Sequence, residues 1–281
     1  MTFLFRRGRF FIFPFVLLVL SLNLFSQRII TLAPALTEIV FSLDLGDKIV
    51  GNTKFCDYPK RAKEIEKVGG LIDLNVEKIV SLKPDVIVMY KEHLNKLRFL
   101  KDRIKLVVVN HNSLKDIYDS IRIISKELNV KEKGEELINK IKIGLENIRK
   151  KTINKKKKRV LIIASRNPYD LKNMYIIGKS DFLNSLLEIA GGVNVYEGNI
   201  PYPSISIENL IGFSPDVIFE LSNMNPYEKK RDLKNFWKKY DFLKAVKNNR
   251  VYFIDKLYWL RPSVRIVKVC KEMYNILNDR N

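Results

Sequence analysis

Short apolar runs alternate along this chain with longer stretches in which apolar residues recur every three or four positions. In the first half the runs at 28–33, 48–51, 86–89 and 105–109 predict strands. Between them the helical spacing over 37–45 predicts a helix stopped by Gly46 in the C-terminal cap position. Asn75 is expected to cap a helix running through Leu82, and Pro84-Asp85 to turn the chain into the next strand. Ser113, with Asp116 three residues on, predicts a capped amphipathic helix reaching Leu128. Strands alternating with helices in this way predict an α/β lobe with a mostly parallel sheet.

From 130 to 153 the pattern changes. Leu137, Ile138, Ile141, Leu145 and Ile148 recur at helical spacing, Lys and Glu fill the other face, and there is no proline. This predicts one long, stiff connecting helix. Strand–helix alternation then restarts at Arg159: a helix over 181–190 ending at Gly191-Gly192, a helix from Ser206, and strands over 216–221 and 250–254. Pro262 suits the first turn of a final helix reaching Leu277.

The two halves say the same thing. Glu77-Lys-Ile-Val-Ser-Leu-Lys-Pro-Asp-Val-Ile-Val88 returns as Glu208-Asn-Leu-Ile-Gly-Phe-Ser-Pro-Asp-Val-Ile-Phe219, an offset of 131 residues (208 − 77). Arg28-Ile-Ile-Thr-Leu-Ala33 and Arg159-Val-Leu-Ile-Ile-Ala164 match at the same offset. So long a period predicts two similar lobes rather than a solenoid of short repeats. The fold class is therefore α/β: two similar lobes with mostly parallel sheets, joined by a single long rigid helix. The lobes are expected at 27–129 and 159–281, with the helix and its linker at 130–158. A cleft between lobes is where a small ligand binds.

Residues 1–26 read as an export signal. Arg6, Arg7 and Arg9 precede an apolar run over 10–20, and small Ser26 offers a cleavage position before Gln27. An uncleaved N-terminal anchor is the alternative. No cysteine follows the run closely enough to carry a lipid. The net charge of +20 includes those three arginines, leaving +17 beyond residue 26. Because the lysines are scattered and the chain is expected outside the cytoplasm, no nucleic-acid partner is expected. The dense Lys155-Lys-Lys-Lys-Arg159 reads as a solvated linker. Cys56 and Cys270 fall in different lobes, and no disulfide between them is expected.

Catalytic motifs are scarce. His93 and His111 are the only histidines and read as exposed loop imidazoles, and no metal-ligand spacing or Gly-x-Ser-x-Gly occurs. The Gly69-Gly70 and Gly191-Gly192 pairs read as turns or caps. What the loops carry instead is aromatic and cationic: Phe55, Tyr58, Tyr90, Tyr202, Tyr258, Trp259 and Arg261. Several follow strands, where α/β sheets hold their ligands. Flat aromatic faces with an arginine suit a large, rigid, partly apolar ligand with acidic or amide edges.

Four motifs follow one another in order: Arg28-Ile-Ile-Thr-Leu-Ala-Pro-Ala-Leu-Thr-Glu38, Val50-Gly-Asn-Thr-Lys-Phe-Cys-Asp-Tyr-Pro59, Val68-Gly-Gly, and Asn75-Val-Glu-Lys-Ile-Val-Ser-Leu-Lys-Pro-Asp85. In these the chain resembles the helical-backbone substrate-binding proteins of ABC importers, the group serving cobalamin, iron–siderophores and haem. The cobalamin pattern is nearest. It has aromatics where Phe55, Tyr90 and Tyr202 stand, and Tyr258, Trp259 and Arg261 fall in its loop before the last helix. An aromatic near Gly69-Gly70 and an acidic residue before the last loop are missing, so corrinoid, ferric siderophore and haem all stay open. The resemblance implies a periplasmic, monomeric, non-enzymatic receptor for a cobalt or iron chelate, with no resident cofactor or metal. It also implies delivery to a permease with its ATPase, and assigns Glu77 and Glu208 to docking on that permease. An exported hydrolase or chelatase on the same fold is the rival reading.

Overall fold

Alternation of period two gives each central strand two apolar faces, and both are buried. In the computed structural model, which describes residues 27–221 and 230–278, β1 (Ile29–Thr31) turns Ile29 to an inner core and Ile30 to an outer one. In β3 (Val86–Tyr90) and β4 (Lys105–Val109), Val86, Val88, Tyr90, Val107 and Val109 face inward while Ile87, Met89 and Val108 face outward. With β2 (Ile49–Asn52) these strands form an all-parallel sheet in the order β2-β1-β3-β4. The export segment expected over 1–26 lies outside the described residues.

Around this sheet stand α1 (Pro34–Ser42), α2 (Val76–Ser81), the single turn α3 (Leu94–Leu97) and α4 (Leu114–Glu127). The Asn75 side chain caps α2 by accepting from the Lys78 amide at 2.8 Å. The box at the start of α4 is complete: Ser113 Oγ accepts from the Asp116 amide at 3.1 Å, and Asp116 accepts from the Ser113 amide at 2.9 Å. Helix α1 differs from expectation. It begins three residues early, because Pro34 fits a first turn, and ends at Leu43 with Asp44 in the left-handed region at φ 60°. Gly46 opens a separate 3₁₀ turn (Gly46–Lys48) instead of capping the helix.

The connector is α5 (Lys131–Arg149), whose 19 residues span about 28 Å. Ile138, Ile141, Leu145 and Ile148 are buried, and α5 packs against α4 and, in the second lobe, against the helices at 182–189 and 266–278. Gly134 lets α5 approach α4: a Cβ there would fall 2.0 Å from Ser125 Oγ.

The second lobe runs through β5 (Lys158–Arg166), β6 (Met174–Ile176), α6 (Phe182–Ile189), β7 (Gly192–Asn194), β8 (Ser204–Ile205), α7 (Ile207–Phe213) and β9 (Val217–Leu221). It continues through α8 (Lys230–Lys238), α9 (Lys244–Lys247), β10 (Val251–Ile254) and α10 (Ile266–Asn278). Its sheet has the order β10-β9-β5-β6-β8, with β7 also beside β5. β10, β9, β5 and β7 are parallel, while β6 runs antiparallel to both its neighbours, β5 and β8. The short strands β6 and β8 depart from the simple repeat, and the loop leading into β8 holds Tyr202. The last helix starts at Ile266, not at Pro262, because residues 261–263 leave the helix path to reach the other lobe.

The repeat is visible as matched bonds. The Arg28 amide donates to Asp85 at 2.7 Å and its guanidinium to the Leu82 carbonyl; the Arg159 amide donates to Asp216 at 2.9 Å and its guanidinium to the Phe213 carbonyl. Lys83 and Ser214, again 131 apart, both take positive φ (46° and 43°). One continuous apolar core joins the inner faces of both sheets to α4, α5, α6 and α10, and this core holds the lobes together.

Candidate functional site

The loops at the carboxyl ends of both sheets face each other, and one charged cluster ties them. Glu38 is the only charged residue of α1 and is 1% exposed. An isolated buried carboxylate is costly, and this one is satisfied entirely from the other lobe. Ser263 Oγ donates to it at 2.6 Å, Arg265 Nε at 2.8 Å and Arg261 Nη1 at 3.3 Å, and Arg265 Nη2 donates as well. Arg261 also donates to Asp57 at 2.5 Å and to the Phe55 carbonyl at 3.1 Å. Burial pushes the Asp57 carboxyl up, but the hydrogen bond and charge of Arg261 outweigh it and hold the group below the usual carboxylate range.

The aromatic residues divide into three settings. Phe55 and Tyr58 are 53% and 47% exposed on the loop after β2, and the Arg265 guanidinium lies 4.3 Å over the Tyr58 ring. The same guanidinium is 4.9 Å from the Tyr258 ring, so Phe55, Tyr58, Tyr258 and Arg261 gather at one edge of the lobe junction. Tyr258 is half-buried and donates to Glu272 at 2.6 Å.

Tyr90 ends β3 under the second setting. It is buried and stacks on His111, with centroids 4.2 Å apart. His111 follows β4 and lies 3.9 Å from Glu92; burial lowers its pKa, leaving the imidazole neutral near pH 7. His93 is not the exposed imidazole expected: it is buried, and its Nε2 pairs with the Leu71 carbonyl at 2.9 Å. Beside this pair the Phe182 amide donates to the Asn112 carbonyl at 2.7 Å, a further bond between the lobes away from the Glu38 cluster.

Tyr202 forms the third setting, on the loop between β7 and β8. Its ring is half exposed while its hydroxyl is buried, donating to Asp181 at 2.7 Å. Asp181 is 2% exposed and caps α6 through the Leu183 amide. Burial lifts its pKa to about 6, against the lowering effect of those two donors.

Trp259 stands apart from the expected wall. It is 1% exposed, packs edge-on against Phe219 at 5.6 Å, and donates Nε1 to Glu272 at 2.8 Å. It is a core residue, because the 3₁₀ turn Leu257–Leu260 directs it down onto β9. A cavity of about 1400 Å³ lies elsewhere, beside β10, and is lined by Trp237, Phe242, Tyr252, Lys256 and Trp259 itself among others. The loop aromatics Phe55, Tyr90 and Tyr202 do not line it, so the lobe junction remains the candidate site.

Glu77 and Glu208 are exposed in the first turns of α2 and α7. Each helix leads into a parallel strand, so its N-terminus sits at the carboxyl end of its sheet, the side of the junction loops. A hydrogen bond from Ser206 holds the Glu208 carboxyl below the usual range. Cys56 and Cys270 are free and buried, Cys56 against Thr37 and Thr53, Cys270 beneath Leu186 in the other lobe. Burial pushes the Cys270 thiol up to about 12.

Sequence reasoning missed Glu38, Asp57, Ser263, Arg265, His111 and Asp181 as parts of the junction. Glu38 left a signal, a single charge inside an apolar helix, and Asp181 another, an N-cap beside an apolar helix face. Arg265 and Ser263 left none, since their meaning lies with a partner more than 220 residues away.

A model of the periplasmic binding protein family matches residues 29–258. A Bacillus subtilis protein described as the uncharacterized ABC transporter substrate-binding lipoprotein YvrC is 31% identical over 256 residues, covering 88% of this chain and 78% of its own length. The vitamin B12-binding protein of Vibrio vulnificus is 30% identical over 265 residues, covering 90% of this chain and 92% of its own. Among solved structures, a possible iron-binding periplasmic solute-binding protein from Staphylococcus epidermidis has a TM-score of 0.79 at 29% identity, covering 90% of this chain and 99% of that one.

Proposed function

The chain belongs to the periplasmic binding protein family, and from that premise we propose that it is the exported substrate-binding protein of an ABC importer for a metal chelate. A corrinoid is the first choice of ligand; a ferric siderophore or haem is next. The observation that carries this reading is the pairing of exposed aromatic faces from both lobes, Phe55 and Tyr58 on one and Tyr202 on the other. Such faces stack on a broad, flat macrocycle and exclude water from it. The vitamin B12-binding relative supports the corrinoid, and the possibly iron-binding neighbour keeps the iron chelates in view.

The function is capture rather than catalysis. The inter-lobe bonds of Glu38 and the shared core keep the lobes at a set distance, so the ligand enters a largely pre-formed cleft. Delivery then falls to a membrane permease, with Glu77 and Glu208 as its docking carboxylates. Their sequence equivalence, one per lobe, suits a two-fold permease offering the same cationic partner twice. Residues 1–26 direct export and lie outside the described residues. No described helix is long and apolar enough to cross a membrane.

Titration of the purified protein with cyanocobalamin, haemin and ferrichrome, followed by intrinsic fluorescence and visible absorption, tests the ligand class. At least one should bind with Kd of about 1 μM or tighter, roughly −8 kcal/mol. Binding of none below about 100 μM would remove the chelate from the proposal.

A further inference from the structure

Arg261 is shared between two carboxylates at the junction, and these partners differ in kind. Glu38 is 1% exposed and fixed by Ser263 and Arg265 as well. Asp57 has a side chain 42% exposed, on the same loop as the open faces of Phe55 and Tyr58. Its hydrogen bond to Arg261, at 2.5 Å, is the one side-chain hydrogen bond of Asp57 among the described residues; its own backbone amide and the charge of Arg265 add to it. The four charges balance: Glu38 and Asp57 against Arg261 and Arg265. When Asp57 turns out to water, one positive charge is left, with a planar donor fork pointing at the vacated place.

We propose that Asp57 is a built-in stand-in for an acidic oxygen group of the ligand: a carboxylate or phosphate on the ligand's rim displaces Asp57 from Arg261 on binding. The exchange is inexpensive because Asp57, with its side chain 42% exposed, is readily rehydrated as it leaves, while the guanidinium, 9% exposed, stays in place and favours any planar or tetrahedral oxyanion there. No covalent bond changes; one oxyanion replaces another and Asp57 is rehydrated. The device screens ligands. A rim without an anion must either leave Asp57 in place or strand the cation, so acid-bearing chelates are selected over neutral ones. It rests on the lobe junction being the ligand site, and it narrows the chelate to one carrying an anionic rim group, as a corrinoid does in its phosphodiester and haem in its propionates.

The decisive test needs no chelate. In ¹⁵N-labelled full-length mature protein, the side-chain Nε–Hε resonance of Arg261, assigned through Arg261→Lys, is followed during titration with citrate. In Asp57→Ala the resonance should shift saturably, with a midpoint about tenfold below that of the wild type, as expected if Asp57 leaves Arg261 free about a tenth of the time. Asp57→Asn, which keeps the shape of the loop, should fall between the two and serves if the alanine variant folds poorly. Equal citrate midpoints in wild type and both variants, or an Arg261 resonance indifferent to citrate in all three, overturns the proposal. Haemin against its dimethyl ester, and cyanocobalamin against dicyanocobinamide, then separate this idea from the ligand reading. Asp57→Ala should tighten only the acid-bearing member of a pair; equal tightening of both members overturns the exchange. If all four fail to bind while citrate behaves as expected, the chelate reading falls and the exchange stands.

Discussion

Arg265 donates through Nε to Glu38 at 2.8 Å, across 227 residues of sequence and from one lobe to the other. The bond puts a buried carboxylate of α1 under the control of the loop that precedes α10. Two arginines and a serine converge on it, and Arg261 passes the connection on to the loop carrying Phe55 and Tyr58. The aromatic edge of the cleft is thus positioned by a charge cluster rather than by the aromatics themselves.

Removing the carboxylate should therefore be severe. Glu38→Ala strands the Arg265 guanidinium in a buried setting and takes one of two carboxylates from Arg261, and we expect a loss of about 3–5 kcal/mol in unfolding free energy. Urea denaturation at pH 7 measures it. A loss below about 1 kcal/mol would show that the lobes do not depend on this cluster.

Asp181 should impose a pH dependence of the unusual sign. Its pKa in the folded protein is about 6 and that of a free aspartate about 3.8, so between these values the folded state holds the extra proton. Stability contributed by this group falls as pH rises from about 4 to 6 and is flat above, by an amount of order 3 kcal/mol. Asp181→Asn should remove that slope from the stability profile. In Tyr202→Phe the carboxyl loses a donor to its charged form, so its ¹³C-detected pKa should move above that of the wild type.

Trp259 and the exposed aromatics should separate cleanly. Trp259→Phe removes the hydrogen bond to Glu272 and part of a packed core, costing about 1–3 kcal/mol of stability while ligand affinity changes less than about twofold. Phe55→Ala and Tyr202→Ala should do the reverse, weakening the bound chelate about tenfold, roughly 1.4 kcal/mol, with a small effect on folding. Paired melting and binding curves check both. A tenfold affinity loss in Trp259→Phe would return that residue to the cleft wall.

For the docking carboxylates, Glu77→Arg together with Glu208→Arg should abolish uptake in cells while leaving ligand affinity in solution unchanged. Only a favourable helix-terminus charge is lost, so the melting temperature should move by a few degrees at most. Normal uptake by the double variant would reduce both residues to helix-start charges.

Much of this architecture follows from local chemistry. The inward–outward alternation of Val86 to Tyr90, the capping box of Ser113 and Asp116, and the apolar stripe of α5 each depend on neighbours within a few positions, so the sequence alone specifies them. The 131-residue offset likewise determined two lobes, and Arg28 and Arg159 make the same bonds in each. Where local signals competed, the tertiary structure decided. Pro262 could have opened α10, but Arg261 and Ser263 bind Glu38 from a non-helical path, and the helix waits until Ile266. Trp259 reads as an exposed loop aromatic until the short turn carrying it packs onto Phe219. The identity of the site residues belongs to the same class. An exposed tyrosine and a buried one are the same letter, and an arginine is free or spoken for only once a carboxylate from the other lobe arrives beside it. Periodicity and caps are short-range and survive in the linear pattern; burial and charge pairing across 200 residues are set only when the two lobes close on their common core.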